Sequence, residues 1–200
     1  IAVYDDVVAR FGDDSTPGVR ERVAWALVNK GNNLTEPDAK IAVYDDVVAR
    51  FGDDSTPEVR EPVAWALVNK GNNLTDADVD AKIAVYDDVV ARFGDDSTPE
   101  VRERVAWALF NKGNNLTDPD AKIAVYDDVV ARFGDDSTPE VRGHVAWALF
   151  NKGNNLTEPD AKIAVYDDVV ARFGDDSTPG VRERVAWALS NKDNNHTDAD

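Results

Sequence analysis

The chain has 200 residues, of which 42% are hydrophobic and 30% charged, and its formal net charge is −17. A charge this negative repels phosphate backbones and anionic lipid, so nucleic acid and membrane surfaces are excluded as preferred partners. Cysteine is absent, which excludes disulfides and thiolate metal sites. There is neither a long uncharged apolar run nor an apolar leader. We therefore expect a cytoplasmic protein.

One string, IAVYDDVVARFGDDSTP, occurs five times, beginning at Ile1, Ile41, Ile83, Ile123 and Ile163. Each copy continues through a VAWAL stretch and an NK(G/D)NN(L/H)T tail. Repeats of this length stack as one quasi-one-dimensional array. We therefore predict a single repeat domain over 1–200, with repeats 1–40, 41–82, 83–122, 123–162 and 163–200. Because the chain starts inside a repeat and has no methionine, we expect it to be a fragment of a longer array.

The first complete helical pattern covers residues 37–51 and defines helix B. Its apolar residues recur at three- and four-residue spacing, which is typical of an amphipathic helix; they are Ile41, Tyr44, Val47, Val48 and Phe51. Gly52 follows directly. A glycine in this position predicts a helix end in the left-handed conformation.

A second helix, helix A, is predicted to start near Pro57. Ser55 and Glu58 have the spacing of a capping box, and proline is favoured in a first helical turn. Thr35, placed before Pro37, predicts the same capping device at the start of helix B. Gly31 is a plausible end for helix A, with a last turn that extends to Leu34 as the alternative. Two helices per repeat and short connections predict an all-α array of about ten helices in antiparallel hairpins.

Helix A should bury one stripe against helix B, formed by Val19, Val23, Ala26, Leu27 and Leu34. Trp25 and residue 28 should lie on the opposite side, beside Glu21 and Asn32. Pro62 falls inside helix A of the second repeat, where it removes a backbone hydrogen bond at a cost of ~3 kcal/mol. That helix should therefore bend or begin late.

The phrases AWALxNKG and IAVYDDVVARFG resemble the tetratricopeptide repeat, in a long version of about 40–42 residues, over the whole chain. Gly31 matches the small residue of the family's first helix, Leu27 and Leu34 match its large core positions, and Tyr44 matches the aromatic residue of its second helix. Lys40 departs from the family's small residue, and the turn between helices A and B is shorter. The resemblance implies a right-handed α-solenoid. It also implies a binding scaffold, similar to the sensor regions of large signalling NTPases.

Catalysis is not expected, because an enzyme needs a unique constellation and nearly every polar residue here occurs five times. His144 and His196 each replace another residue in one repeat, which indicates surface variation rather than a catalytic or metal site. The Asp53-Asp54 pair lacks the loop pattern of a calcium site and is interpreted as a solvated turn. No cofactor and no metal are expected.

Differences among the five copies fall at residues 18, 21, 22 and 28 of the repeat, around an unchanged tryptophan. These residues and residue 32 form one stripe of helix A. In the resembling family this stripe lines a concave groove. The predicted binding residues are therefore Trp25, Val28, Asn32, Trp65, Val68, Asn72, Trp107, Phe110, Asn114, Trp147, Phe150, Asn154 and Trp187. Alternatively, each tryptophan packs between neighbouring A helices, and both roles can hold together.

Two functions remain open at this point. The first is a non-enzymatic scaffold that binds a protein or peptide segment with apolar and basic character, since tryptophan is frequent among interface hot spots. Trp65, Trp107 and Trp147 should then stay partly exposed. The second is a structural or self-associating array without a ligand groove. Ser190, Asp193 and His196 give the last repeat a polar end, so any weak end-to-end self-association should involve the N-terminal helix, residues 1–12.

Overall fold

The computed structural model describes residues 1–197, with side chains through residue 195. This part of the chain contains ten α-helices and no strand. The B helices are α1 (Ala2–Phe11), α3 (Pro37–Phe51), α5 (Val79–Phe93), α7 (Pro119–Phe133) and α9 (Pro159–Phe173). The A helices are α2 (Pro17–Asn32), α4 (Pro57–Asn73), α6 (Pro99–Asn115), α8 (Pro139–Asn155) and α10 (Pro179–Thr197). The all-α prediction is confirmed.

The helices group into two compact units, unit 1 over Ile1–Ala108 and unit 2 over Leu109–Asp200. In unit 1, each of the helices α1 to α4 packs against the next helix, and α2 also packs against α4. In unit 2, each of the helices α7 to α9 packs against the next helix, and α8 also packs against α10. Successive helices within each unit therefore pack against their neighbours, as in a helical solenoid. The single repeat domain over 1–200 stays a prediction.

Helix B has the predicted bounds in the second repeat, Pro37–Phe51. Tyr44, Val47 and Phe51 are buried, while Ile41 and Val48 are half-buried. On helix A the predicted core residues Val23, Ala26 and Leu27 are buried, whereas Val19 and Leu34 are half-buried. The apolar periodicity thus identifies the face between the two helices of a hairpin.

The predicted backbone conformation of Gly52 is wrong. Gly52 has φ −58° and ψ −33°, which is right-handed rather than left-handed backbone. A Cβ on Gly52 would lie 2.5 Å from the carbonyl oxygen of Val48, so glycine is needed for a close approach. Helix α2 ends at Asn32, one residue after Gly31 and within the predicted range, and a Cβ on Gly31 would lie 2.5 Å from Cε1 of Tyr44. The small residue lets the Tyr44 ring touch the helix A backbone.

The predicted helix caps are wrong as well. The residue before α4 is Thr56, and neither its side chain nor that of Glu36 before α3 makes a capping hydrogen bond. Instead, the backbone N–H of Thr56 donates to Oδ1 of Asp54 at 2.9 Å. Such a turn around an aspartate competes with the serine-based capping box that the sequence suggested. Ser55 and Thr35 therefore do not cap the helices.

Helix α4 accommodates Pro62 and does not begin late, since it starts at Pro57 like its counterparts. Its first turn is closed by the N–H of Val59 donating to Thr56, three residues back, at 3.0 Å. Pro62 has no N–H to donate to the carbonyl of Glu58, an exposed residue four positions earlier. No helix in the described part of the chain combines the length and apolarity needed to span a bilayer.

Candidate functional site

The five tryptophans occupy the same position of helix A in every repeat and none is fully buried. Trp25, Trp65, Trp107 and Trp147 are half-buried, and Trp187 is 43% exposed. The predicted partial exposure of Trp65, Trp107 and Trp147 is confirmed. Each indole is therefore packed over part of its surface and open to solvent over the rest, as is usual for a large amphipathic side chain.

Residue 28 of the repeat lies in the core, so its predicted place opposite the core is wrong. The four side chains are buried, and they are Val28, Val68, Phe110 and Phe150. In unit 2 the ring of Phe110 lies 6.5 Å from that of Tyr126 and 5.3 Å from that of Trp147. Residue 28 is thus covered by the tryptophan of the next A helix as well as by helix B. Ligand contact at this position is not supported.

The predicted asparagines are exposed, and each is held by the tyrosine of helix B; they are Asn32, Asn72, Asn114 and Asn154. The Tyr44 hydroxyl donates to Oδ1 of Asn32 at 2.7 Å, and Tyr86 donates to Asn72 at 2.8 Å. Burial raises the pKa of Tyr86 to about 12, so the hydroxyl remains a donor. A fixed Oδ1 acceptor orients the amide and leaves its N–H groups as the donors for other partners.

A buried arginine stacks on the tryptophans of unit 1. The guanidinium of Arg104 lies 3.7 Å from the ring centroid of Trp65 and 5.6 Å from that of Trp107. Its Nη1 also donates to Glu103 at 3.0 Å. A cation held over indole faces in a desolvated place contributes roughly 2 kcal/mol.

Unit 2 repeats this stack with Arg184, which lies 3.3 Å from the ring centroid of Trp147 and 3.8 Å from that of Trp187. The side chain is 4% exposed, and burial lowers its pKa while Glu183 acts in the opposite direction. Both arginines occupy residue 22 of their repeats. This residue therefore fills the space between successive tryptophans instead of contacting a ligand.

Pro62 occupies the same position in the second repeat and supplies no cation. Trp25 and Trp65 consequently contact each other directly, with ring centroids 5.8 Å apart and an interplanar angle of 65°. Edge-to-face pairs of this kind are favourable by about 1 kcal/mol. The sequence variation at residue 22 thus changes how the indoles of unit 1 are held.

A cluster of carboxylates borders the tryptophans of unit 1. Glu61 is half-buried, and its pKa is raised first by burial and then by repulsion from Glu100, Glu103 and Glu21, against attraction from Arg104. Glu21, Glu61 and Glu103 each precede a tryptophan by four residues, which places them on the same helix face. We call this surface the Trp–Glu ridge; it consists of Trp25, Trp65, Trp107, Glu21, Glu61 and Glu103.

Sequence reasoning missed the stacking arginines and the coupling among the glutamates. The signal for the ridge was available, because Glu and Trp recur at four-residue spacing in three repeats. The signal for Arg104 and Arg184 was not, since their contacts join different repeats. His144 is half-buried with its ring 6.2 Å from that of Phe110, and the side chain of His196 lies outside the described residues.

Comparison with known proteins adds no assignment. No model of a protein family matches the chain, and a search of curated proteins finds no match. Among the described residues, no group of three or more His, Asp or Glu side chains is arranged to hold a metal ion. The function must therefore be argued from the Trp–Glu ridge itself.

Proposed function

We propose that this protein is a non-enzymatic scaffold that binds a peptide segment carrying apolar anchors and basic residues along the Trp–Glu ridge. The observation that carries the proposal is the juxtaposition of half-exposed indoles with carboxylates that repel one another. Apolar side chains cover indole faces favourably, and a cation relieves repulsion among carboxylates. An acidic segment cannot relieve the repulsion among the carboxylates, and a wholly polar segment cannot cover the indoles.

The exposed asparagines support an extended or helical segment as the ligand. The carboxamide oxygen of Asn32 already accepts from Tyr44, and the Asn69 amide lies 3.4 Å from the same oxygen. The amide N–H groups of Asn32 are thus the remaining donors, and a peptide carbonyl is the acceptor that fits them. We infer that such contacts set the direction of the bound segment, while indoles and carboxylates provide its affinity.

We also infer that the hairpin is a long version of the tetratricopeptide repeat. The contact between Gly31 and Tyr44, in which the first helix offers a small residue to the aromatic ring of the second, supports this assignment. The same contact joins Gly71 to Tyr86 in the following repeat. This family assignment agrees with a scaffold role, but the argument for the ligand rests on the ridge alone.

Isothermal titration with two matched 12-residue peptides tests the proposal. One peptide combines Leu with Lys, and the other has every Lys replaced by Glu. We expect the Leu and Lys peptide to bind at least about tenfold more tightly, a difference of about 1.4 kcal/mol. Indistinguishable binding of the two peptides would contradict the proposed ligand chemistry.

A pair of chain variants locates the binding surface. Glu61→Gln combined with Glu103→Gln should weaken binding of the basic peptide, because both changes remove charge from the ridge. Glu140→Gln combined with Glu158→Gln is the matched control, since it removes the same charge from exposed glutamates at the starts of α8 and α9. Equal losses in both variants would indicate binding through net charge and would remove the ridge from the proposal.

A further inference from the structure

A groove of about 610 Å³ lies between α1 and α2 in unit 1. Its apolar lining includes Val3, Tyr4, Val7 and Phe11 from α1 and Trp25 from α2. Val3 is 74% exposed and Phe11 is 46% exposed. An exposed apolar surface of this kind is typical of an interaction site.

The residues equivalent to Tyr4, Val7 and Phe11 are buried in the second repeat. Phe51 is 4% exposed and Tyr44 is 1% exposed, although the sequence of α3 around them is the same as that of α1. The difference arises because α2 packs against both α3 and α4, whereas no described helix A packs against α1 and α2 from the other side. The groove therefore corresponds to the surface that an A helix covers in the following repeats.

An A helix makes three specific contacts with its next neighbours in unit 1. Gly71 of α4 accepts the ring of Tyr86, and Arg60 of α4 lies 5.2 Å from the ring centroid of Phe93. Arg60 also donates from Nε to Oδ2 of Asp96 at 2.5 Å. In unit 2, Arg142 makes the same contacts with Phe173 and Asp176.

The α1–α2 groove and the turn after α1 contain the residues that correspond to Tyr86, Phe93 and Asp96, the partners of α4. Tyr4 and Phe11 line it, and Asp14 follows α1 in the position that Asp96 takes after α5. Asp14 accepts the backbone N–H of Thr16 at 2.7 Å, which holds its pKa below the usual range. Among the described residues it has no arginine partner. A docking helix with a glycine and an arginine at the spacing of α4 would satisfy all three positions.

Helix α10 exposes the surface that α4 and α8 use to contact the next repeat, but one substitution on this surface prevents docking. Arg182 has no carboxylate partner in the described part of the chain, and Leu189 is 45% exposed whereas Leu149 of α8 is 3% exposed. Asp193, however, stands where the other A helices have glycine. A Cβ on Gly153 would already lie 2.5 Å from the Tyr166 ring, so Asp193 would collide with Tyr4 of a second copy.

We propose that the α1–α2 groove is a docking site for an amphipathic helix with the residue pattern of this chain's own A helices, and that Asp193 prevents α10 of a second copy from being that helix. The groove selects glycine against Tyr4, arginine against Asp14 and an apolar residue against Trp25. Ser190, which replaces Val or Phe in α10, weakens the last of these contacts.

The chain itself provides the test, because two substitutions turn α10 into a helix of the α8 type. We expect the Asp193→Gly and Ser190→Phe double variant to associate head to tail, with an apparent mass that rises at least twofold with concentration in analytical ultracentrifugation. Wild type and the Ser190→Phe single variant, which keeps Asp193, should remain monomeric. Circular dichroism verifies that all variants keep their helices.

A third substitution shows whether the groove is the seat. Adding Asp14→Arg to the double variant should return it to a monomer. Adding Asp38→Arg, which makes the same charge change at an exposed residue of α3, should not. A double variant that stays monomeric would overturn the proposal. It would equally be overturned by association of the wild type to the same extent, or by oligomers that survive Asp14→Arg.

Discussion

The tryptophans of the two units have different surroundings although the repeats are nearly identical. In unit 2, Arg184 separates Trp147 from Trp187, and Phe110 packs against Trp147. In unit 1, Pro62 leaves Trp25 in direct edge contact with Trp65. Single substitutions at residues 22 and 28 of the repeat therefore decide how each indole is held, without changing the helices that carry it.

The same comparison applies to charge. Unit 1 has glutamate before all three of its tryptophans, whereas Gly143 replaces glutamate before Trp147 in unit 2. Burial is the larger cause of the raised pKa of Glu61, and repulsion from the other carboxylates of unit 1 raises this pKa further. The ridge of unit 1 thus offers more carboxylates to a basic segment than the corresponding residues of unit 2 do.

The largest expected effect concerns a contact that both units share. Gly71→Ala in unit 1 and Gly153→Ala in unit 2 each force a methyl group against a buried tyrosine ring whose hydroxyl is fixed by asparagine. We expect each to lower the free energy of unfolding by about 3 kcal/mol, measured by urea denaturation.

The matched control for these variants is Gly143→Ala, because a Cβ there meets no atom within 4 Å. It should raise stability by about 0.5–1 kcal/mol through helix propensity. If Gly71→Ala had the same urea midpoint as the wild type, the Tyr86 ring would be able to move away from the new methyl group, and the expected destabilisation would be wrong.

Pro62→Arg should make unit 1 resemble unit 2. The substitution restores a backbone donor and places a guanidinium between Trp25 and Trp65, so we expect a gain of about 2 kcal/mol. It should also weaken binding of a basic peptide, because the new cation occupies the ridge. Pro62→Ala restores only the backbone N–H donor, so this variant should be more stable than the wild type and should bind the basic peptide as the wild type does. Equal binding by the two variants would argue against the cation's role.

Arg184→Ala is the reverse change, in unit 2. Removing the guanidinium from between Trp147 and Trp187 loses stacking and packing, and we expect a loss of about 1–2 kcal/mol in urea denaturation. Since the interaction is desolvated, this loss should change little between low and high salt. A difference that vanishes in 1 M salt would indicate a surface ion pair with Glu183 instead.

The smallest expected effect concerns Glu61. Its pKa is higher in the folded than in the unfolded chain, so the folded state is favoured when Glu61 is protonated, and this contribution is lost as pH rises through the raised pKa. Glu61→Gln should therefore exceed wild type in stability at pH 7, by less than about 1 kcal/mol because the site is partly hydrated. The excess should shrink as pH falls towards the unfolded pKa. A stability difference between Glu61→Gln and wild type that stays constant from pH 7 to pH 4 would contradict a raised pKa of Glu61.

The sequence predicted the helices well because their apolar periodicity is repeated five times. The bounds of α3 and the partial exposure of Trp65 both follow from one hairpin considered alone. The burial of Val28 and Phe110 does not, because an A helix also packs against the next A helix, so its buried surface is wider than one stripe. Likewise, Asp54 and Ser55 offer competing turn chemistry at the start of α4, and spacing alone does not decide between them.

The central claim is that the Trp–Glu ridge of unit 1 binds an apolar and basic segment. The most direct measurement follows the five indole N–H signals in ¹⁵N-edited NMR spectra while the Leu and Lys peptide is added, with assignments from Trp→Phe variants. We expect the signals of Trp25, Trp65 and Trp107 to shift together at the lowest peptide concentrations and that of Trp187 to stay unchanged. A saturable shift confined to Trp147 and Trp187, or no shift at any indole, would contradict the claim.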